Sequence, residues 1–148
     1  MVREATREDL DALLELYLHL HEKSIPPHDA HLEETWDAIL SDRKYHIIVN
    51  EVDGKIVSSC TLIIVPNLTR DVRPYALIEN VVTHADHRKK GLAGECLAFA
   101  EELANRENCY KLMLTTGSKD PATLRFYEKA GFSGKDKTAF AKWINMEY

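Results

Sequence analysis

The sequence predicts an α+β fold in which a mixed, mostly antiparallel sheet carries helices and closes with one crossover near its end. Three observations predict it. Two period-two runs, "YHIIVNEV" and "KIVSSCTLIIV", flank Asp53-Gly54, and an Asp-Gly pair between alternating runs supplies the positive φ angles of a tight hairpin turn. A long run of helical period, 91–108, stands between two β-rich runs, the order of a helical crossover. A shorter stretch is framed by Asp120-Pro121 at its start and by Gly131-Phe132 at its end, an N-cap with proline in the first position and a left-handed stop. The resulting order is β-α-α-β-β-β-α-β-α-β, with about four helices and six or seven strands.

Each element can be justified in turn. "VREA" has room for one short strand. Thr6 with Asp9 three residues on has the spelling of a capping box, and Leu10, Leu13, Leu14 and Tyr17 then repeat at helical spacing. That helix ends before Pro26-Pro27, because proline lacks a backbone donor and biases the residue ahead of it away from helix. A second helix is expected over 30–40, with Leu32, Trp36, Ile39 and Leu40 facing inward. After the hairpin, the polar loop "PNLTRDVRP" leads to a third β-rich run, "YALIENVVTH". In the long helix Leu92, Cys96, Phe99, Ala100 and Leu103 share one face and Glu95, Glu101 and Glu102 the other, over about five turns. "YKLMLTT" is the strand that follows, 121–130 the short framed helix, and "FSGKDKTAFAKWI" alternates enough for one or two closing strands around Gly134. With 148 residues and no internal repeat, 1–148 reads as a single domain.

Composition excludes several classes. A hydrophobic share of 45% beside a charged share of 29% is ordinary for a globular protein, and no window approaches the roughly 18 apolar residues of a membrane span. A net charge of -5 argues against a nucleic-acid binder, which needs a broad positive face. "MVREATRED" lacks the apolar stretch of a secretory signal, and Cys60, Cys96 and Cys109 are odd in number without C-x-x-C spacing, so the expectation is a cytoplasmic protein with reduced thiols. His19, His21, His28 and His31 invite a metal reading. Histidines two apart on a helix diverge and Pro26-Pro27 separates the pairs, so no metal is expected.

The charged stretch "HRKKGLAGECL" carries the chemistry. A strand feeding a glycine turn and then a helix presents unpaired backbone N–H groups, with the positive end of the helix dipole behind them. Arg88, Lys89 and Lys90 add formal charge, while Gly91 and Gly94 allow close approach. The plain alternative is a solvated basic turn. Neither G-x-x-x-x-G-K-[ST] nor G-x-G-x-x-G is present, which removes a P-loop and a dinucleotide fold.

Residues 88–93 also resemble the pyrophosphate-binding pattern [Q/R]-x-x-G-x-[G/A] of the GNAT family of N-acetyltransferases, and "FYEKAGF", 126–132, resembles that family's second signature. The two stand in the right order, and the likeness covers essentially the whole chain. It implies a sheet splayed between the strands near 78–83 and 111–116, with acetyl-CoA as cosubstrate in the cleft. Backbone groups of Val81, Val82 and Thr83 would bind the pantetheine arm as an added strand does. Amides and cations of Arg88, Lys89, Lys90, Gly91, Leu92, Ala93 and Gly94 would hold the diphosphate.

The resemblance implies Tyr127 as cofactor contact and general acid for the departing thiolate. A phenol lies within about 1.5 pKa units of an ordinary thiol, so a modest environmental shift permits the transfer. Glu79 is the candidate base, directly or through water, and an N–H near Val81 the oxyanion donor. Many relatives place an asparagine where this chain has Asp120; Ser118 or Thr115 could replace its pantetheine contact, with Asp120 serving as N-cap. The implied partner is a small-molecule amine acceptor bordered by the segment 19–31, with Arg70 and Arg73 available to an anionic one, and a homodimer follows by analogy. "TLII", "IENVV" and "NCYK" resemble glucosamine-6-phosphate N-acetyltransferases, and the length suits aminoalkylphosphonate N-acetyltransferases equally. A non-catalytic acyl-CoA-binding module and a protein or peptide N-acetyltransferase are the alternatives.

Overall fold

The computed structural model describes residues 1–146. They fall into two compact units, Met1–Leu114 and the remainder from Thr115, taken in turn.

The first unit is built on a five-stranded sheet in the order β1-β2-β3-β4-β5. Strand β1 (Val2–Glu4) pairs antiparallel with β2 (Tyr45–Val52), β2 with β3 (Lys55–Val65), and β3 with β4 (Tyr75–Thr83), while β4 and β5 (Leu112–Leu114) run parallel. The β2–β3 turn is the hairpin expected from Asp53-Gly54, whose φ angles are 50° and 76°.

Helices cover both faces. A single 3-10 turn, Arg7–Asp9, opens α1 (Leu10–Tyr17), and α2 (Ala30–Ser41) starts on Asp29, whose carboxylate accepts from Leu32 N–H at 3.0 Å. Leu13 and Trp36 from these helices pack on Ile47 and Val49, with Leu10, Tyr17, Ile39 and Tyr45 around them. The opposite face carries the crossover helix α3 (Leu92–Arg106), which buries Cys96, Leu97, Ala100, Leu103 and Ala104. Here Cys60 Sγ donates to the Cys96 carbonyl at 3.7 Å, and Asn50 Nδ2 donates to the Leu92 carbonyl and to Glu95. Burial pushes both thiols up, Cys96 to about 11, which leaves them poor nucleophiles.

The second unit holds α4 (Pro121–Lys129). Asp120 caps it by accepting from Ala122 N–H at 3.0 Å, and Gly131 at φ 98° ends it. Gly131 N–H donates to the Glu128 carbonyl at 3.0 Å and Phe132 N–H to the Tyr127 carbonyl at 3.1 Å, a Schellman stop whose apolar contact is the edge-on pair Tyr127–Phe132.

One expectation requires correction. The six or seven strands are five, because 133–146 forms no strand among the described residues. Alternation there is local, whereas a strand exists only where a neighbour takes its N–H and C=O groups, and Phe140 is 94% exposed. The loop "PNLTRDVRP" is wound into a left-handed turn. Arg70, Asp71 and Val72 hold φ angles of 55°, 59° and 62°, and Asn67 Nδ2 ties the turn by donating to the Thr69 and Arg73 carbonyls.

Candidate active site

The parallel pairing of β4 with β5 covers only Ala76↔Leu112, Leu77↔Met113 and Ile78↔Leu114, and beyond Ile78 this edge of β4 runs on to Thr83 without a strand partner among the described residues, while the other edge stays on β3. The sheet therefore opens where β5 stops. Along the other edge of β4 the register slips between Ser59↔Val82 and Thr61↔Glu79, so Asn80 and Val81 together face Cys60. Asn80 sits at φ 52°, a left-handed conformation that asparagine tolerates better than most residues. This bulge turns β4 just past the point where its pairing with β5 ends. Val81 and Thr83 are half-buried, Val82 is buried, and Glu79 is exposed.

Beyond β4 the chain makes a 3-10 turn, Ala85–His87, and enters α3 through Gly91 at φ 79°. Glycine at this N-cap has no side chain to satisfy the first helical donors. The first intrahelical bond runs from Glu95 N–H to the Gly91 carbonyl at 3.1 Å, so the amides of Leu92, Ala93 and Gly94 have no helical acceptor. Lys89, itself at φ 62°, and Lys90 are exposed beside them. The donor set suits an anion with several oxygens, such as a diphosphate. Arg88 is placed differently from its neighbours: its Nε donates to the Thr83 carbonyl at 3.3 Å and its Nη2 to the His19 carbonyl at 3.1 Å. Its side chain fastens the turn.

On the α1–α2 face two cavities meet at Asn80. The larger, about 390 Å³, is lined by Leu14, Tyr17, Leu20, His21, Glu22 and Ser24 among others. The smaller, about 190 Å³, runs between α1, α2 and β2 past Tyr17, Trp36 and Tyr45. Burial, with a smaller contribution from Tyr45, pushes the Tyr17 phenol up to about 12. The register Ile47↔Thr61↔Glu79 puts Glu79 on the same face as the cavity residue Ile47, and burial and then the charge of Glu79 raise the Tyr45 phenol. Thr61, opposite Glu79, has a buried hydroxyl without a well-formed hydrogen-bond partner among the described residues.

In the second unit Tyr127 lies on α4 with its ring 4.9 Å from that of Phe126. Ser118 N–H donates to the Thr116 hydroxyl and Ser118 Oγ accepts from Asp120 N–H, both at 3.2 Å, which leads the chain into the α4 cap. Arg73 donates to the Asn108 and Cys109 carbonyls and Arg70 lies over the Tyr110 ring, so both anchor a loop. His28 pairs with Asp11 and His21 with Glu22, and among the described residues no group of three or more ligands could hold a metal. No helix among them is long and apolar enough to cross a membrane. The sequence reading missed Tyr17, Tyr45 and Asn80 as cavity residues. The first two carried only core-like spacing, and Asn80 alone gave a signal, an asparagine inside a β-rich run.

A mixed sheet split beside a bulge, with unpaired amides and exposed lysines at the following helix start, defines a cleft whose donors suit an anionic ligand. The model of the acetyltransferase (GNAT) family matches residues 10–132, and the chain belongs to that family of acyl-CoA-dependent N-acetyltransferases. It is 31% identical over 142 residues to a glucosamine 6-phosphate N-acetyltransferase of Trypanosoma brucei brucei, covering 92% of this chain and 90% of the relative. Among solved structures, a putative acetyltransferase from Agrobacterium tumefaciens is 42% identical with a TM-score of 0.90, over 97% of this chain and 99% of that one. Glucosamine-6-phosphate N-acetyltransferase from Arabidopsis thaliana is 25% identical with a TM-score of 0.85, over 98% of each chain.

Proposed function

We propose that the protein transfers the acetyl group of acetyl-CoA to the primary amine of a small molecule by direct attack in a ternary complex. The observation that carries this reading is the opening of β4 from β5 at Ile78, followed at once by the Asn80 bulge and then by the uncapped start of α3. The cosubstrate supplies an activated thioester; the chain supplies orientation, charge stabilisation and proton transfer. Backbone groups along the β5-side edge of Val81, Val82 and Thr83 hold the pantetheine, and the 88–94 turn holds the diphosphate, with Lys89 and Lys90 at its rim. Ser118 is assigned to the pantetheine as well.

The acceptor amine must arrive neutral, because only its free lone pair can form the C–N bond. An N–H near Val81 receives the charge that builds on the carbonyl oxygen. Glu79, directly or through water, takes the proton that the nitrogen sheds, and Tyr127 gives its phenolic proton to sulfur as the C–S bond breaks. The products are the acetamide and free thiol. A cavity of about 390 Å³ lies within the roughly 300–1,000 Å³ of small-molecule sites, which supports a compact acceptor over a protein chain. The relatives' names point to an amino sugar phosphate as the first acceptor to try, with aminoalkylphosphonates next. A cytoplasmic location and a homodimer belong to the same proposal; Phe140, Ile144 and Met146, all well exposed, are surface that a second copy would cover.

The test is thiol release over a panel of hexosamine phosphates, aminoalkylphosphonates, polyamines and peptide amines. We expect amine-dependent release, and a Tyr127→Phe variant whose kcat falls about 100-fold while its KM for acetyl-CoA changes little. Undiminished cofactor binding without turnover on any amine would instead identify a binding module.

A further inference from the structure

Three histidines surround the joint between the end of α1 and the turn that leads to α3. His19 is in the turn after α1, between Tyr17 and Leu20, both of which line the larger cavity. Its Nδ1 accepts from Ala85 N–H at 3.3 Å, and its ring stacks on His84 with centroids 4.0 Å apart and planes at 37°. His84 Nδ1 accepts from Asp86 N–H at 3.1 Å, and His87 N–H donates to the His84 carbonyl at 2.9 Å. The three donors that open the 3-10 turn are thus all satisfied, two of them by imidazole nitrogens. Arg88 closes the joint from the other side, one guanidinium bridging the carbonyls of Thr83 and His19.

We propose that His19 is a positioning residue that couples the cofactor turn to the acceptor cavity, and that protonation releases it. This rests on the acetyl-transfer reading of the two regions. An imidazole accepts at Nδ1 only while that nitrogen lacks a proton, so both rings carry their proton on Nε2. A proton added at Nδ1 of His19 removes the acceptor of Ala85 N–H and sets a cation 4.0 Å from a second ring that can itself become charged. The charged and titratable groups facing the joint are His84, His87 at 5.6 Å from His84, the Asp86 carboxylate at 4.0 Å from His84 Nδ1, and the Arg88 guanidinium. One anion therefore faces one fixed cation and three imidazoles, and acidification opens the joint by like-charge repulsion as well as by the lost bond. Once open, it leaves the Tyr17–Leu20 wall of the cavity free of the turn. A turn closed on diphosphate, conversely, holds that wall in place, so cofactor binding prepares the acceptor cavity.

The experiment uses the full chain, with His19→Ala and His19→Asn. An asparagine Oδ1 can take the place of Nδ1 as acceptor and cannot titrate. With an amine that the wild type turns over, KM for the amine is followed from about pH 5.5 to 8. His19→Ala should raise the amine KM about three- to tenfold, the worth of one hydrogen bond, with KM for acetyl-CoA changed less than about twofold. With KM expressed as the concentration of neutral amine, so that the acceptor's own protonation drops out, His19→Asn should keep the wild-type value at neutrality and lose its rise on the acid side. Equal changes in both KM values, or an acid limb in His19→Asn like that of the wild type, would overturn the proposal. If no amine is turned over while coenzyme A still binds, the transfer reading fails by itself. The joint is then read by NMR: coenzyme A should shift the Leu20 and His21 amides in the wild type and His19→Asn but not in His19→Ala. Identical shifts in all three overturn it. Absence of coenzyme A binding overturns both readings.

Discussion

Asp9 shows how much one side chain does at the start of this fold. Its carboxylate accepts from Arg3 at 2.6 and 3.0 Å, from Thr6 N–H at 2.7 Å and from the Thr6 hydroxyl at 3.2 Å, so it joins β1 to the turn that opens α1. The Arg3 hydrogen bonds hold its pKa below the ordinary carboxylate value, against the desolvation that comes with burial, and the Thr6 N–H adds to the lowering. A depressed carboxylate pKa contributes stability that is fully present above the unfolded value, near 4, and is lost as pH falls through the folded value. Asp9→Asn should therefore lower stability at neutral pH by about 1–3 kcal/mol, the worth of hydrogen bonds to a charged group. The variant should also lose less of its remaining stability on acidification below about pH 4. Urea unfolding at pH 7 and pH 3 checks both halves, and equal acid sensitivity in variant and wild type would place the acid-labile pair elsewhere.

At the scale of elements, the β4–α3 turn is where backbone conformation and chemistry coincide. Gly91 is left-handed at φ 79°, and a Cβ built there meets nothing within 4 Å, so substitution is opposed by torsion and not by crowding. Gly91→Ala should cost about 1–2 kcal/mol of stability, Gly91→Asn less and Gly91→Val more. If the turn is the diphosphate cradle, coenzyme A affinity should fall in the same order by calorimetry; an unchanged affinity across the series would move the cradle away from these amides. This turn was legible in the sequence because glycine, cations and the helical period are all local signals. The hairpin at Asp53-Gly54 and both ends of α4 were legible for the same reason. The opening at Ile78 was visible only through resemblance, since nothing in β4 alone says where β5 stops pairing. Asn80 shows the limit most clearly: its residue type hints at a bulge, but its place at two cavities depends on α1 and on the segment after it, sixty residues earlier in the chain. The strands expected around Gly134 failed on the same ground, because alternation supplies a face and cannot supply a neighbour.

For the whole molecule, the question is whether Met1–Leu114 and the residues from Thr115 unfold together. The second unit is shorter than the roughly 40 residues below which a chain rarely folds without disulfides, metals or partners, and none of its described residues is buried. It therefore lacks a core that could melt on its own. The family match, 10–132, also runs across the boundary at Leu114, as one evolutionary unit would. We accordingly expect one calorimetric transition with matching calorimetric and van't Hoff enthalpies, and so a single domain in the thermodynamic sense. Coenzyme A at about 100 times its Kd should add about 2.7 kcal/mol to the folded state and raise Tm by roughly 5–10 °C. If the cofactor is held by β4 and the 88–94 turn together with Ser118 and Tyr127, it must raise the whole transition. A ligand-shifted transition accompanied by a second, unshifted one would assign the cofactor to Met1–Leu114 alone and remove Tyr127 as its proton donor.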